Sequence, residues 1–190
     1  MEYIPAKTIL SKCKSSEWFG TDYNMNIYRG CCHGCVYCDS RSDCYHISDF
    51  DMVKAKKDAL IILRNELKRK VRSGVIGTGA MSDPYNPFEK ELMLTRHSLE
   101  LIDAFNFGVS VITKSSLITR DIDILKSIAE HSPVICKLTV TTADDILCKK
   151  LEPNVSPSSE RFETISQLNE NGIFSVSYTH LRAHETCADL

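Results

Sequence analysis

The sequence predicts an α/β fold built on a parallel sheet, and three observations support that prediction. Short runs rich in Val, Ile and Thr alternate with segments of helical periodicity, which is the pattern of successive βα units. Glycines and polar residues crowd the carboxyl ends of the predicted strands, as in TIM-type barrels, whose ligands bind on that face. About five βα steps are present, too few for a closed eight-stranded barrel. We therefore expect a partial TIM-type barrel, truncated near its fifth strand.

Five short apolar runs are the predicted strands of this sheet. The first, residues 24–28, leads the chain to a turn at Gly30 and then to a cysteine-rich loop. The second, residues 75–79, ends in glycines, which allow close approach of the backbone to a ligand or to another element. The remaining strands are expected at residues 108–113, 134–140 and 173–177.

Segments of helical periodicity separate these strands. Apolar side chains recur at helical spacing across residues 51–72, which predicts a helix that ends before Gly74. Thr95 is expected to cap the next helix, and Asp121 is expected to cap the helix after it. Of the last two predicted helices, one opens near residues 141–145 and the other covers residues 158–171.

Length and composition are those of an ordinary globular chain with one substantial core. The chain has 190 residues, of which 43% are hydrophobic and 25% are charged. No apolar run approaches the roughly 20 residues that a membrane span requires, and the N-terminus lacks the apolar region of a signal peptide. Clustered cysteines in such a chain indicate metal ligands in a reducing compartment rather than disulfides. We therefore expect a cytoplasmic protein that does not associate with membranes.

The pattern divides the chain into three parts. Residues 1–23 form an N-terminal segment without a clear period, and residues 24–177 form the core domain. Residues 178–190 abandon the strand pattern and resemble an adaptor-derived peptide found at the ends of truncated reading frames. We hypothesise that this tail is not native and give its histidines and cysteine no functional weight. Resequencing the locus and finding the tail in frame in genomic DNA would reject that hypothesis.

Cysteines are concentrated in one short stretch. Five of the nine cysteines lie between residues 31 and 44. Among them Cys31, Cys35 and Cys38 form the pattern C-x-x-x-C-x-x-C, which places three thiols around one small loop. A structural zinc site or a fully ligated iron–sulfur cluster takes four protein ligands. Three cysteines on a 4Fe–4S cluster would leave one iron open to a small molecule.

The spacing alone leaves several kinds of site open. Thiolates suit both zinc and iron–sulfur clusters. A cluster that only transfers electrons is a further alternative, whereas inert buried cysteines are disfavoured by the local density of thiols. In a zinc-binding interaction module the fourth ligand would come from one of four nearby residues, namely Cys32, His33, Cys44 and His46.

The residues around the cysteines resemble a known motif. Asn-Ile-Tyr-Arg-Gly-Cys at 26–31, followed by Cys-Val-Tyr-Cys at 35–38, is similar to the cluster motif of radical S-adenosylmethionine (radical SAM) enzymes. Within that superfamily the chain most resembles the spore photoproduct lyase-like, or DNA repair photolyase-like, group. The resemblance runs from about residue 23 to about residue 175. It includes Ser-Asp-Pro-Tyr at 82–85, Ile-Thr-Lys-Ser at 112–115 and Leu-Glu-Pro at 151–153.

The resemblance implies a site and two cofactors. It implies a partial (β/α)6 radical SAM barrel that binds a 4Fe–4S cluster through Cys31, Cys35 and Cys38, with S-adenosylmethionine on the fourth iron. Tyr37 matches an aromatic position beside the adenine. The resemblance further implies contacts to the methionyl end of S-adenosylmethionine from three strand-end residues: Ser82, Lys114 and Thr139.

The implied reaction is reductive cleavage of S-adenosylmethionine to methionine and a 5′-deoxyadenosyl radical, which abstracts hydrogen from a substrate. A reductant such as a flavodoxin or a ferredoxin is the implied partner. A DNA lesion is the implied substrate of a lyase-like reaction, but the net charge of −2 does not favour a nucleic-acid partner. Cys32 and Cys44 depart from the family pattern, and the catalytic residues that act on the substrate are not identified.

Overall fold

The computed structural model describes residues 1–13, 20–42, 45 and 47–178, and in this part of the chain nine strands form two sheets. The strands are β1 (Glu2–Ile4), β2 (Leu10–Lys12), β3 (Tyr23–Met25), β4 (Tyr28–Arg29), β5 (Lys54–Lys56), β6 (Val75–Thr78), β7 (Gly108–Thr113), β8 (Val134–Thr139) and β9 (Ser175–Tyr178). The helices are α1 (Ala59–Lys68), α2 (Glu89–Leu92), α3 (Leu94–Ala104), α4 (Ile122–Ala129), α5 (Asp145–Leu151) and α6 (Ser158–Glu170).

The larger sheet confirms the predicted α/β fold. Its strand order is β2-β3-β6-β7-β8-β9, and β3, β6, β7, β8 and β9 run parallel to one another. Strand β2 adds to the edge in antiparallel orientation, so the sheet is mixed. The parallel strands follow one another in chain order, and right-handed crossovers then put the connecting helices on one face of the sheet.

The core lies between this sheet and its helices. Strand β7 is buried along its whole length, as expected for the centre of a parallel sheet. Val109 and Val111 on this strand are fully buried together with Leu99 and Ile102 of α3 and Leu125 of α4. No helix in the described ranges is long and apolar enough to cross a membrane.

The smaller sheet, in the order β1-β5-β4, leads the chain into the cysteine loop. Strand β4 pairs antiparallel with β5, and β1 pairs parallel with it. Strand β4 ends at Arg29, and Gly30 turns the chain immediately before Cys31. Predicted strand 24–28 is therefore two strands in different sheets, β3 and β4, because the chain leaves the larger sheet after Met25.

The prediction of a helix over residues 51–72 is wrong at both ends. Residues 54–56 form β5, and α1 covers only Ala59–Lys68. Val53 and Ala55 are buried on either side of the partly exposed Lys54, which is the two-residue period of a strand. Leu63 and Leu67 face the core as predicted, but Val71 is 99% exposed.

The two predicted helix caps are also wrong in their chemistry. Thr95 lies inside α3, where its hydroxyl donates to the carbonyl of Pro84 at 2.7 Å. Asp121 occupies the N-cap position of α4 but makes no capping hydrogen bond, because its carboxylate accepts from the Tyr85 hydroxyl and from arginines instead. The predicted opening of a helix near residues 141–145 is confirmed, since Asp144 caps α5.

Substitution of Gly79, just after β6, tests the packing of this residue against β7 through its effect on stability. Its φ is +95°, and a Cβ there would lie 1.8 Å from the carbonyl oxygen of Ile112 on β7. We expect Gly79→Ala to lower the free energy of unfolding by about 4 kcal/mol, since backbone strain adds to a steric clash. Gly172→Ala is the matched control, because Gly172 also has a positive φ but has open space around it. Gly172→Ala should lower the free energy of unfolding by about 1 kcal/mol, as measured by urea denaturation. Equal losses would contradict the packing of Gly79 against β7.

Candidate functional site

The cysteine loop, residues 31–38, is held by contacts to its backbone at two points. The Cys31 amide donates to the carbonyl of Phe50 at 2.8 Å. Gly30 makes this close approach possible, because its φ is +80° and a Cβ would lie 2.5 Å from that same carbonyl oxygen. Further along the loop Arg41 donates from Nη1 to the carbonyl of Cys35 at 3.1 Å. Neighbouring residues therefore fix the loop backbone at Cys31 and at Cys35.

All three motif cysteines lie on this loop, but their sulfurs are not gathered into a ligand set. Cys35 is buried, and Cys31 and Cys38 are half-buried. The pKa of Cys35 is raised to about 11, mainly by burial; Lys114 opposes this shift, and Glu152, Cys31 and Cys38 add to it. Within the described ranges no three His, Cys, Asp or Glu side chains are arranged to hold a metal.

The alternative ligands for zinc divide into two groups. His33 is buried and directs Nδ1 toward Asp83 at 3.4 Å. Burial lowers the pKa of His33, but the Asp83 carboxylate and the Cys31 thiol outweigh this effect and leave it above its usual value. Cys32 is partly buried against the hydrophobic core. The other two candidates, Cys44 and His46, lie outside the described residues.

Asp83 joins the cysteine loop to the carboxyl ends of β6 and β7. One carboxylate oxygen accepts from the Tyr85 amide at 2.9 Å and from the Thr113 hydroxyl at 2.7 Å. The other accepts from the Lys114 amide at 2.8 Å and faces His33. Sequence reasoning missed this residue as part of the site. The available signal was an acidic residue in a loop that directly follows a buried strand.

The predicted cofactor contacts lie at or just beyond the carboxyl ends of three adjacent parallel strands. Ser82 follows β6 and is buried, and Lys114 directly follows β7. The Lys114 Nζ lies 5.9 Å from the centroid of the Tyr37 ring, so a cation at the end of β7 reaches the cysteine loop. Thr139 ends β8 and is fully buried, and its hydroxyl has no hydrogen-bond partner in the described part of the chain.

A second buried network was missed by sequence reasoning. The Tyr37 hydroxyl donates to Glu152 and shares a hydrogen bond of 2.8 Å with Thr141. Glu152 in turn pairs with Arg161 at 2.6 Å, and both side chains are fully buried. Burial raises the pKa of Glu152, but the Tyr37 hydrogen bond and the Arg161 charge leave it below its usual value. Burial and the bond to Glu152 both raise the pKa of Tyr37.

The residues present fit an iron–sulfur cluster with a charged small molecule beside it. The loop offers three soft donors, which suit iron–sulfur clusters. Lys114 offers a cation that makes no ion pair with any described residue, and Thr139 offers a buried hydroxyl that lacks a partner. A buried polar group without a partner is costly, so a ligand that supplies one is stabilised there.

A mixed, mainly parallel α/β sheet with thiols, a hydroxyl and a lysine at its carboxyl edge is the arrangement in which α/β proteins commonly place a ligand. The chain belongs to the radical SAM superfamily, whose family model, described as "Radical SAM superfamily", matches residues 25–186. Membership implies a 4Fe–4S cluster and S-adenosylmethionine as cofactors. The match includes part of the predicted non-native tail, and residues 179–190 of that tail lie outside the described residues.

Known proteins share part of the sequence or the fold of this chain. An uncharacterized protein of Methanocaldococcus jannaschii is 35% identical over 162 residues, which are 84% of this chain and 60% of the relative. A solved structure of a spore photoproduct lyase mutant has a TM-score of 0.67 at 12% identity, covering 92% of this chain and 50% of that one. A spore photoproduct lyase mutant with bound AdoMet and dinucleoside spore photoproduct has a TM-score of 0.61 at 13% identity, covering 93% and 50%. The chain thus spans 50 to 60% of these proteins' lengths, and the structural likeness concerns the fold alone.

Proposed function

We propose that the protein is a radical SAM enzyme of the spore photoproduct lyase-like group that cleaves S-adenosylmethionine reductively. The proposed core is a partial (β/α)6 barrel, and Cys31, Cys35 and Cys38 hold the 4Fe–4S cluster. The observation that carries the proposal is that Lys114, directly after β7 at the carboxyl edge of the sheet, lies over the ring of Tyr37 on the cysteine loop. The cluster and S-adenosylmethionine supply, when bound, one-electron chemistry that ends in hydrogen abstraction from a substrate.

The chain's own residues bind and orient the cofactor. The Lys114 ammonium pairs with the methionyl carboxylate, a suitable task for a compact cation at a strand end. Asp83 holds the Lys114 amide and so sets where that side chain begins. Thr139 offers its free hydroxyl to the same end of the ligand, Ser82 adds a polar contact, and the Tyr37 ring packs against the adenine.

The proposed substrate is a DNA lesion. A lyase-like reaction on a DNA lesion is supported by the fold of a neighbour that binds dinucleoside spore photoproduct, at 13% identity. The net charge of −2 provides no general attraction for a phosphate backbone. A flavodoxin or a ferredoxin is the proposed reductant.

Anaerobic reconstitution separates this enzyme from a zinc-binding interaction module and from an electron-transfer protein. We expect about four irons per chain, as for one 4Fe–4S cluster. Chemical reduction in the presence of S-adenosylmethionine should then release 5′-deoxyadenosine. One tightly bound zinc without cleavage would support the interaction module, and a cluster that leaves S-adenosylmethionine intact would support electron transfer alone.

A further inference from the structure

Residues 151–154, which begin at the last residue of α5, contact the cysteine loop from a distant part of the chain. The Val36 amide donates to the carbonyl of Leu151 at 2.9 Å. Asn154 donates twice, from its amide to the carbonyl of His33 at 3.1 Å and from Nδ2 to the carbonyl of Cys32 at 2.9 Å. We call residues 151–154 the clamp segment. It contributes three hydrogen bonds to the loop that carries the cysteines.

Close packing accompanies these hydrogen bonds. Gly34 has a φ of +73°, and a Cβ built on it would lie 2.9 Å from Cγ of Pro153. Only glycine therefore lets the loop and the clamp segment approach this closely without adjustment. The contact lies between Cys31 and Cys35 along the chain, so a shift of the clamp segment would move two of the three proposed ligands.

The side chain of Glu152 extends the same segment to the proposed S-adenosylmethionine contacts. It accepts from the Tyr37 hydroxyl on one side and pairs with Arg161 on the other. Arg161 also donates from Nη1 to the carbonyl of Thr139 at 2.6 Å. One buried ion pair therefore connects Tyr37 and Thr139, which lie on different elements and are both proposed to contact S-adenosylmethionine.

We propose that the clamp segment is a positioning element with two separable tasks. Asn154 holds the backbone of the cysteine loop and so retains the cluster, whereas Glu152 orients the Tyr37 ring and so supports binding of S-adenosylmethionine. The inference rests on the proposed function. Groups that orient the residues in direct contact with a metal typically change its affinity by about 10- to 100-fold when removed.

Asn154→Ala and Glu152→Gln test the two tasks on the anaerobically reconstituted chain. We expect Asn154→Ala to lose iron to a chelator about tenfold faster, with the affinity of its loaded fraction for S-adenosylmethionine nearly unchanged. Glu152→Gln should keep its iron and raise the Kd for S-adenosylmethionine about tenfold. Iron release and equilibrium binding are both measured without turnover.

Two further variants provide a second test and a control. Tyr37→Phe keeps the ring but removes its bond to Glu152, so it should raise the Kd as Glu152→Gln does, and the double variant should add little. Tyr37→Phe also tests this hydrogen bond if Glu152→Gln fails to fold, because Tyr37 is only half-buried. Lys150→Ala, an exposed neighbour of the clamp segment, is the matched control.

The outcomes distinguish this inference from the proposed function. If the wild-type chain binds iron and cleaves S-adenosylmethionine while Asn154→Ala and Tyr37→Phe behave like Lys150→Ala, the clamp proposal is wrong and the proposed function stands. If the wild-type chain binds no iron–sulfur cluster, the proposed function itself fails. A loss of both iron and ligand affinity in every clamp variant would reject the separation of the two tasks.

Discussion

Cys35→Ala is expected to lose its iron on reconstitution and to cleave S-adenosylmethionine at least about a hundredfold more slowly than the wild-type chain. Removing one of three cluster ligands leaves two, and even supporting residues around a metal are worth 10- to 100-fold in affinity or activity. Cys35 is the buried member of the set. Iron content and 5′-deoxyadenosine release measure the effect.

Cys32→Ala is the matched control for this substitution. Cys32 is adjacent to Cys31 but outside the three-cysteine pattern, and it packs partly buried against the core. Its variant should retain iron and cleavage within about twofold of the wild-type chain, as expected for a residue that contacts neither cofactor. Retention of iron by Cys35→Ala, together with its loss from Cys32→Ala, would overturn the proposed ligand set.

Arg120→Met is expected to lower the free energy of unfolding by about 3 to 5 kcal/mol, because it leaves buried carboxylates without their cation. Arg120 pairs with Glu89 at 3.3 Å and with Asp121 at 2.8 Å, and both carboxylates are fully buried. Arg96 also contacts Asp121, so Glu89 bears most of the loss. Urea denaturation checks the size of the effect against Lys126→Met, an exposed lysine on α4.

The deficit of Arg120→Met should shrink as the pH falls. Burial already raises the pKa of Glu89, although hydrogen bonds from Tyr28, Thr95 and Arg120 oppose the shift. Without Arg120 the pKa in the folded chain rises further above that in the unfolded chain. The folded state then takes up a proton more readily, so its stability relative to wild type improves as the pH falls. A deficit that grows on acidification would contradict this account.

Local sequence pattern was sufficient to predict the central strands of the sheet and the cysteine loop. Strands β7 and β8 follow from continuous β-branched runs, and the three-cysteine spacing needs no tertiary information. The sequence pattern places residues 54–56 in a helix because the seven-residue spacing from Val53 to Leu60 matches two helical turns. Only pairing with β1 and β4 makes this segment a strand.

Long-range contacts explain why the supporting residues of the site were missed. Tyr37 and Glu152 are 115 residues apart in sequence, and no local pattern connects them. Asp83 was visible within Ser-Asp-Pro-Tyr, but its four donors come from three different segments. Sequence periodicity therefore identifies residues that define a motif more readily than those that hold the motif in place.

Electron paramagnetic resonance of the reduced, reconstituted chain tests the central claim most directly. If three cysteines leave one iron open to S-adenosylmethionine, adding that molecule should change the cluster spectrum, and replacing its amino nitrogen with nitrogen-15 should alter a nitrogen hyperfine coupling to the cluster. Cys35→Ala should give no such signal. A cluster spectrum that is unchanged by S-adenosylmethionine, or a chain that holds only zinc, would contradict the account.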